Sequence, residues 1–316
     1  MRNSAPETAP RTATLPDGGP SPDDVAGLRR FGLTALLLLA AFAVPLYHLV
    51  RFALGNELYS YVVIVPLVSA YLVWLDRPRL FQSGARLHPA WAGGLLVSGL
   101  LLLVWAWVTH RSGVRSAPVD ALAFAMYAFV SLLGAAACFF VGRSGLRVLG
   151  FPLGFLIFLA PLPMAVEAGF ETVLQHGSSW TAHRFFDLAG MPTFREGTFF
   201  QLPGFSMQVA PECSGIRSTL ALFLTSLVAG QMFLRSPWKQ TFLAAVVLPI
   251  ALLRNGFRVF VIGELCVEVG PHMIHSWIHR QGGPVFFALS LIPFSVILYL
   301  LYRSDRRPVP SAKSPA

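Results

Sequence analysis

The sequence predicts an all-α membrane protein of about eight transmembrane helices, with a short extracytoplasmic segment of amphipathic helix and β-hairpin. The chain of 316 residues is 55% hydrophobic and only 12% charged, whereas soluble domains carry about 25% charged residues. Its mean hydropathy is +0.62. Apolar runs recur along it, each close to the roughly 20 residues that a membrane-spanning helix needs.

The N-terminal segment 1–28 is rich in Pro, Ala, Ser, Thr and Asp, which predicts a disordered cytoplasmic tail. It does not resemble a cleaved signal peptide, because the first apolar run begins only at Phe31. A transmembrane domain over 29–303 follows, and 304–316 is a second cytoplasmic tail. The apolar runs predict spans at residues 31–50, 58–75, 91–109, 118–141, 146–166, 214–234, 240–262 and 284–302.

The distribution of Lys and Arg predicts the orientation. With the N-terminus in the cytoplasm, every inner segment carries at least two of the 24 basic residues, as the positive-inside rule requires. Both termini are then cytoplasmic. Cys213 and the region 254–280 fall on the extracytoplasmic side.

The long outer loop 164–213 has two parts. Its first part has apolar positions near helical spacing, which predicts one or two amphipathic helices in the membrane interface. In its second part Phe205 and Met207 alternate with polar residues, and Pro203-Gly204 marks a turn. This pattern predicts a short β-hairpin that leads to Cys213.

Two arginines lie inside the seventh predicted span. Arg254 and Arg258 are four residues apart, on one helix face beside Asn255. An arginine at the centre of a span costs at least about 2.5–3.5 kcal/mol, so each needs a reason. The structural alternatives are snorkelling to the headgroups or pairing with an acid, for which the candidates are Glu212, Glu264 and Glu268.

Three cysteines are too few for a disulfide framework. Cys138 and Cys266 lie in apolar surroundings, where cysteine behaves as a small hydrophobe. Cys213 differs, because in "VAPECSGIRSTL" it follows Glu212 and opens a predicted helix. A helix N-terminus favours the thiolate, as would a nearby cation, so Cys213 is a candidate nucleophile.

The stretch "GPHMIHSWIHRQGGPVFF" holds His272, His275 and His279. Each histidine by itself is typical of an interfacial loop. As a set, close to two arginines and on the same predicted face as Cys213, they indicate a site.

The blocks "PECSGIRS", "LLRNGFRVF" and "HRQGGPVFF" resemble the exosortase/archaeosortase family. The resemblance implies a cysteine transpeptidase or peptidase with Cys213, Arg258 and His279 as catalytic residues, and His275, one helical turn away, as the alternative base. It also implies a multi-pass protein of a prokaryotic inner or plasma membrane. The expected partners are membrane lipid and exported proteins that end in a motif such as Pro-Glu-Pro, a transmembrane stretch and a basic tail. Neither nucleic acid nor a cofactor or metal is expected.

In this hypothesis the Cys213 thiolate forms a thioester, Arg258 stabilises the oxyanion and His279 transfers the protons. Arg217 either clamps the acidic residue of the substrate motif or pairs with Glu212, and the pairing is favoured. The supporting or substrate-binding residues are then Arg217, Glu212, Arg254, Asn255 and His275.

Two other functions remain open from the sequence. A zinc-dependent intramembrane protease could draw ligands from Glu264, Glu268, His272, His275 and His279, although the chain lacks H-E-x-x-H. A transporter or export scaffold would explain arginines within spans, but the sequence lacks the inverted repeat and the broken-helix pair that transporters show.

Overall fold

The computed structural model describes residues 22–80, 89–113, 117–277 and 282–305, and this part of the chain is almost wholly helical. The fold class predicted from the sequence is confirmed. The helices are α1 (Pro22–Ala41), α2 (Ala43–Gly55), α3 (Ile64–Leu75), α4 (Pro89–Arg111), α5 (Ala117–Phe140), α6 (Arg143–Phe155), α7 (Met164–Ala189), α8 (Ile216–Phe233), α9 (Pro237–Glu268) and α10 (Gly283–Asp305). Helix α1 begins within the predicted tail 1–28, and the predicted tail 304–316 begins inside α10; residues 1–21 and 306–316 lie outside the description.

Six segments of the described residues are long and apolar enough to cross a membrane: Glu57–Leu75, Ala90–Arg111, Pro118–Phe140, Ile216–Phe233, Pro237–Glu268 and Gly283–Asp305. Two bent helix pairs raise the number to eight if each pair counts as one span, so the expectation from the sequence that the chain has no broken-helix pair is wrong. Helices α1 and α2 are bent by 67°, and a short break after Leu159 separates the 3₁₀ turn that follows α6 from α7. The eight predicted spans correspond to these eight segments.

Proline accounts for both bends. Pro45 lies in the first turn of α2, where it can donate no hydrogen bond to the carbonyl of Ala41 and its ring crowds that carbonyl. Pro161 and Pro163 separate the 3₁₀ turn Leu156–Leu159 from α7. The predicted fifth span, 146–166, is therefore interrupted, and its last residues belong to α7.

The chain divides into two compact units, and the first comprises residues 1–49 and 63–160. Within it α4 and α5 form the most extensive helix pair, held by small residues that let the backbones approach. The Cβ that an alanine would add at Gly99 would lie 2.8 Å from Leu132 Cγ and 3.4 Å from the Ala128 carbonyl oxygen. Close packing of small residues is how helices associate where no water drives them together.

The second unit comprises residues 50–62 and 161–316, and its described part is organised around α9, which packs against α7, α8 and α10. Glycines bring α7 and α9 close. A Cβ at Gly256 would lie 2.6 Å from Thr181 Cβ, and a Cβ at Gly263 would lie 2.5 Å from the Phe186 ring. These contacts fix α7 along the half of α9 that carries Arg254 and Arg258.

The unit also contains an antiparallel sheet of β1 (Phe194–Glu196), β2 (Phe199–Leu202) and β3 (Phe205–Gln208), in the order β1-β2-β3. The predicted hairpin is confirmed, with Leu202 opposite Phe205 across Pro203-Gly204. Strand β1 was not predicted. One face of the sheet packs on α7 and α9 in a cluster that we call the sheet core. Its buried members are Ala182, Phe186, Phe200, Leu202, Met207, Val209 and Val259.

Helix α9 is much longer than α8. At 1.5 Å per residue its 32 residues extend about 48 Å, while the 18 residues of α8 extend about 27 Å, close to the roughly 30 Å of a bilayer core. The two run antiparallel, because Gly230 lies beside Gln240 and Gly215 lies beside Asn255. Residues 256–268 of α9 therefore extend past the start of α8, where they support the sheet core.

Candidate active site

Cys213 ends a short 3₁₀ turn, Pro211–Cys213, that joins the sheet to α8. Its N–H donates to the Ala210 carbonyl at 2.9 Å, and the Ser214 N–H donates to the Pro211 carbonyl at 2.9 Å. Helix α8 starts only at Ile216. The expectation that Cys213 itself opens the helix is therefore wrong, and the thiol lies in the turn just before it, packed against the sheet core.

Gly215 allows the chain to turn from Cys213 into α8, and two features require glycine there. Its φ of +78° is in the left-handed region that side chains disfavour. A Cβ at this position would also lie 3.0 Å from Asn255 Oδ1 and 3.1 Å from Arg254 Nη2. The Ser-Gly pair after the cysteine thus lets α9 approach the backbone beside the thiol.

Asn255 of α9 binds backbone carbonyls of residues 211–215, the segment that we call the cysteine loop. The side chain is buried, and its Nδ2 lies 2.8 Å from the Cys213 carbonyl oxygen and 3.1 Å from that of Ser214. The same nitrogen lies 3.0 Å from Ser178 Oγ of α7. Because Asn255 is itself buried between two helices, it orients the backbone on both sides of the thiol.

Helix α7 contributes a second hold on the same segment. Gln175 Nε2 donates to the Val209 carbonyl, just after β3. Sequence reasoning missed Gln175 and Ser178, although polar residues on the α7 face that packs against α9 could have indicated them. Ser178 and Ser179 are fully buried. Side chains of α7 and α9 together therefore fix the segment that carries Cys213.

Cys213 and Arg258 line the same pocket, although they lie 45 positions apart in the sequence. Its volume is about 30 Å³, room for one or two water molecules. Its other lining residues are Met207, Gln208, Val209, Val259 and Ile262. This mostly apolar pocket therefore brings a guanidinium and a thiol together.

The two arginines of α9 have different environments. Arg254 is 7% exposed, and its Nη2 lies 3.4 Å from the Gly215 carbonyl oxygen. It does not belong to the lining of the cysteine pocket, whereas Arg258 does. One helical turn therefore separates an arginine that contacts the cysteine loop from an arginine that faces the cysteine pocket.

Comparison with known protein families decides the assignment. The chain matches the family of transmembrane exosortases over residues 50–296, more than three quarters of its length. The chain belongs to the transmembrane exosortase family. No curated protein and no solved structure matches the chain. Family membership implies a multi-pass membrane enzyme of the cysteine peptidase or transpeptidase kind.

The histidine expected from the exosortase resemblance, His279, lies outside the described residues. The turn Pro271–His275 follows α9 and is described in its backbone, but the side chain of His275 is not described. His272 is exposed. The choice between His275 and His279 as the catalytic histidine stays a prediction.

Arg217 pairs with Glu57, an acid that the sequence did not suggest as its partner. Its Nη1 donates to the Glu57 carboxylate, and both side chains are largely exposed. This contact is to the segment before α3. The side chain of Glu212 lies outside the description, so the favoured pairing of Arg217 with Glu212 stays a prediction. The pair joins the first turn of α8 to the 3₁₀ turn Glu57–Val63.

The zinc alternative stays untested, because His279 and the side chain of His275, two of its five predicted ligands, lie outside the description. Within the described residues no three side chains of His, Cys, Asp or Glu come together as a metal would require. Glu264 and Glu268 lie on α9, and Glu268 is exposed.

Proposed function

We propose that this exosortase is a cysteine transpeptidase or peptidase that removes a C-terminal sorting signal from exported proteins through a thioester on Cys213. The observation that carries the proposal is the shared pocket of Cys213 and Arg258. A nucleophile and a cation that face the same small volume are the two groups that acyl transfer needs first.

The proposed reaction has two halves. The Cys213 thiolate attacks the scissile carbonyl, and Arg258 donates hydrogen bonds to the resulting oxyanion. The C–N bond then breaks, the leaving amine takes a proton from His279 or His275, and a thioester remains on Cys213. An acceptor amine or water attacks the thioester, gives its proton to the same histidine and releases the thiolate.

Side-chain contacts from α9 hold the cysteine loop in place, which supports this reaction. Asn255 fixes the carbonyls of Cys213 and Ser214, and Arg254 contacts that of Gly215. A nucleophile gains most from being held near its attacking geometry before the substrate arrives. These two residues act through the backbone of the loop, so we assign them positioning roles.

We also propose that the site faces the extracytoplasmic side of a prokaryotic inner membrane, with both termini in the cytoplasm. The positive-inside distribution of Lys and Arg supports this orientation. The length of α8 supports a site near the bilayer surface, since Cys213 lies just before a helix about as long as the bilayer core is thick. Substrates are then exported proteins with a motif such as Pro-Glu-Pro, an apolar stretch and a basic end.

The experiment is a co-expressed secreted reporter with such a tail. Wild-type enzyme should shorten the reporter, and Cys213→Ala should leave it full length while the variant still inserts in the membrane. Cys138→Ala is the matched control, because that cysteine lies on α5 of the first unit. This variant should process the reporter at the wild-type rate. Processing by Cys213→Ala at the wild-type rate would end the thiol mechanism.

A further inference from the structure

Strand β3 has an edge that no other strand pairs with in the part of the chain that the structure describes. The sheet order is β1-β2-β3, so β2 covers one edge of β3 and the opposite edge is open. The two outer edges of the sheet differ in sequence. Strand β1 carries Arg195 and Glu196, while β3 reads Phe-Ser-Met-Gln, without charge or proline.

Charged residues and proline are the usual means by which proteins block unwanted pairing at a sheet edge. The edge of β1 is protected in this way, but that of β3 is not. An unprotected edge of only four residues is too short to stabilise a large assembly. It is long enough to bind one extended peptide segment.

The pairing register shows which backbone groups face the open edge. The Val209 N–H donates to the Thr198 carbonyl at 2.9 Å, so residue 209 faces β2. Facing direction alternates along an antiparallel strand, so Met207, opposite Phe200, also faces β2. The N–H and C=O groups of Ser206 and Gln208 therefore point away from β2, toward the open edge.

This edge borders the cysteine pocket. Gln208 lines that pocket together with Cys213 and Arg258. Met207, between the two outward-facing residues, is buried in the sheet core and anchors the strand to α7 and α9. A peptide paired with β3 would thus lie on a rigid template directly beside the nucleophile.

We propose that the substrate binds as an added β-strand along Ser206–Gln208, which brings its scissile carbonyl to Cys213. The inference rests on the proposed function and adds the binding mode. The ligand class is an extended peptide backbone, recognised by main-chain hydrogen bonds as in other cases of strand addition. Side-chain selectivity then falls on alternate substrate residues.

The pairing rule explains why a Pro-x-Pro motif suits this edge. Prolines at alternate positions of a bound strand both turn their missing N–H away from β3, and the residue between them turns its N–H and C=O toward Gln208 or Ser206. Each proline also favours an extended conformation of the residue before it. Such a motif is already shaped to pair once along this edge.

The first test uses proline substitutions at the two edges of the sheet. Gln208→Pro removes an outward N–H of β3 without removing a bond to β2. Arg195→Pro is the matched control, because Arg195 pairs opposite Phe200 and so faces outward from β1. Both are introduced into the full chain with Cys213→Ala, in nanodiscs, and the Kd of a fluorescent Pro-Glu-Pro peptide with an apolar tail is measured by anisotropy.

The edge inference predicts that Gln208→Pro raises this Kd about tenfold and that Arg195→Pro changes it less than twofold. A second test leaves the protein unaltered and N-methylates the peptide backbone one position at a time. Affinity should fall at every second position that has an N–H. A merely apolar groove would not produce this period of two.

The outcomes separate this inference from the proposed function. Equal affinities of the two proline variants together with no period in the methylation scan would overturn strand addition, even if the wild-type enzyme cleaves the peptide. Failure of the Cys213→Ala chain to bind the peptide would overturn it as well. Edge-dependent binding by a wild-type chain that never cleaves the peptide would retain the edge site and refute the peptidase.

Discussion

The two units of the chain differ in what they bury. In the first unit the described helices pack through Ala, Leu, Phe and Met, and Ser69 is its one buried polar side chain among the described residues. In the second unit, the described buried polar residues are Ser178, Ser179, Thr181, Ser214, Ser226, Arg254, Asn255 and Ser290. Buried polar groups are costly in a membrane protein. Four of these residues meet beside Cys213, since Asn255 contacts Ser178 and the Ser214 carbonyl while Arg254 contacts the Gly215 carbonyl, and this is where the chain gives up stability for chemistry.

The largest difference between the two units should appear when one arginine is removed from each and the processing rates are compared. Arg258→Ala should lower the processing rate by about 10²–10³-fold, because the oxyanion loses its donor. Arg147→Ala, an exposed arginine on α6 of the first unit, should leave the rate unchanged. Reporter cleavage over time measures both. Equal rates for the two variants would remove Arg258 from the reaction.

The next effect concerns the buried amide. Asn255→Ala should cost about 1–3 kcal/mol in the free energy of unfolding, because the partly buried Cys213 carbonyl and the buried Ser214 carbonyl lose their donor. We expect processing to fall about 10- to 100-fold through a lower kcat, at similar KM.

The control for Asn255 is Ser69→Ala, which changes a buried polar residue of the first unit. Its processing rate should match that of the wild type. The rate of Cys213 alkylation by a small thiol reagent supplies a second readout, since a loosened cysteine loop should change it. Indistinguishable kcat and alkylation in the two variants would contradict the positioning role.

Glycine packing offers a smaller test. Gly256→Ala should destabilise the protein by about 1–3 kcal/mol, because the new Cβ meets Thr181 Cβ at 2.6 Å. Gly94→Ala on α4 meets no atom within 4 Å, so it should be neutral or stabilise by up to about 1 kcal/mol. Thermal unfolding in detergent compares the two. A Gly256→Ala variant that is no less stable than Gly94→Ala would refute the close approach of α7 and α9.

The smallest expected effect is at the surface ion pair. Glu57→Ala should change stability by about 0–1 kcal/mol and processing by less than threefold, because both partners are exposed. Arg217→Ala should behave in the same way if its role is to hold Glu57. A tenfold loss with Arg217→Ala and none with Glu57→Ala would instead indicate that Arg217 contacts the substrate.

Much of this could be predicted from the sequence, because its strongest signals are local. Apolar runs predicted the spans, alternation predicted the β2-β3 hairpin, and the blocks around Cys213 and Arg258 predicted two residues that share a pocket. The sequence predicted helix ends less accurately. Helix α8 starts at Ile216, three residues after Cys213, which was expected to open it.

What could not be predicted depends on tertiary contacts. Glu57 lies 160 residues from Arg217, and no local pattern connects them. The hydrogen bond from Asn255 to the Cys213 carbonyl joins residues 42 positions apart. Its acceptor is a backbone group, which every residue has, so the sequence carries no signal for it. Strand β1 has only three residues, too few to show an alternation.

The central claim is that a thioester forms on Cys213, and the most direct test is to measure the mass of the enzyme during turnover. Purified wild-type chain mixed with a tailed Pro-Glu-Pro peptide and quenched in acid should carry the peptide's N-terminal fragment on Cys213, as an adduct released by hydroxylamine. Cys213→Ala should carry none. The account would be contradicted if the wild-type enzyme cleaved the peptide without an adduct on Cys213 and Cys213→Ala cleaved it at the wild-type rate.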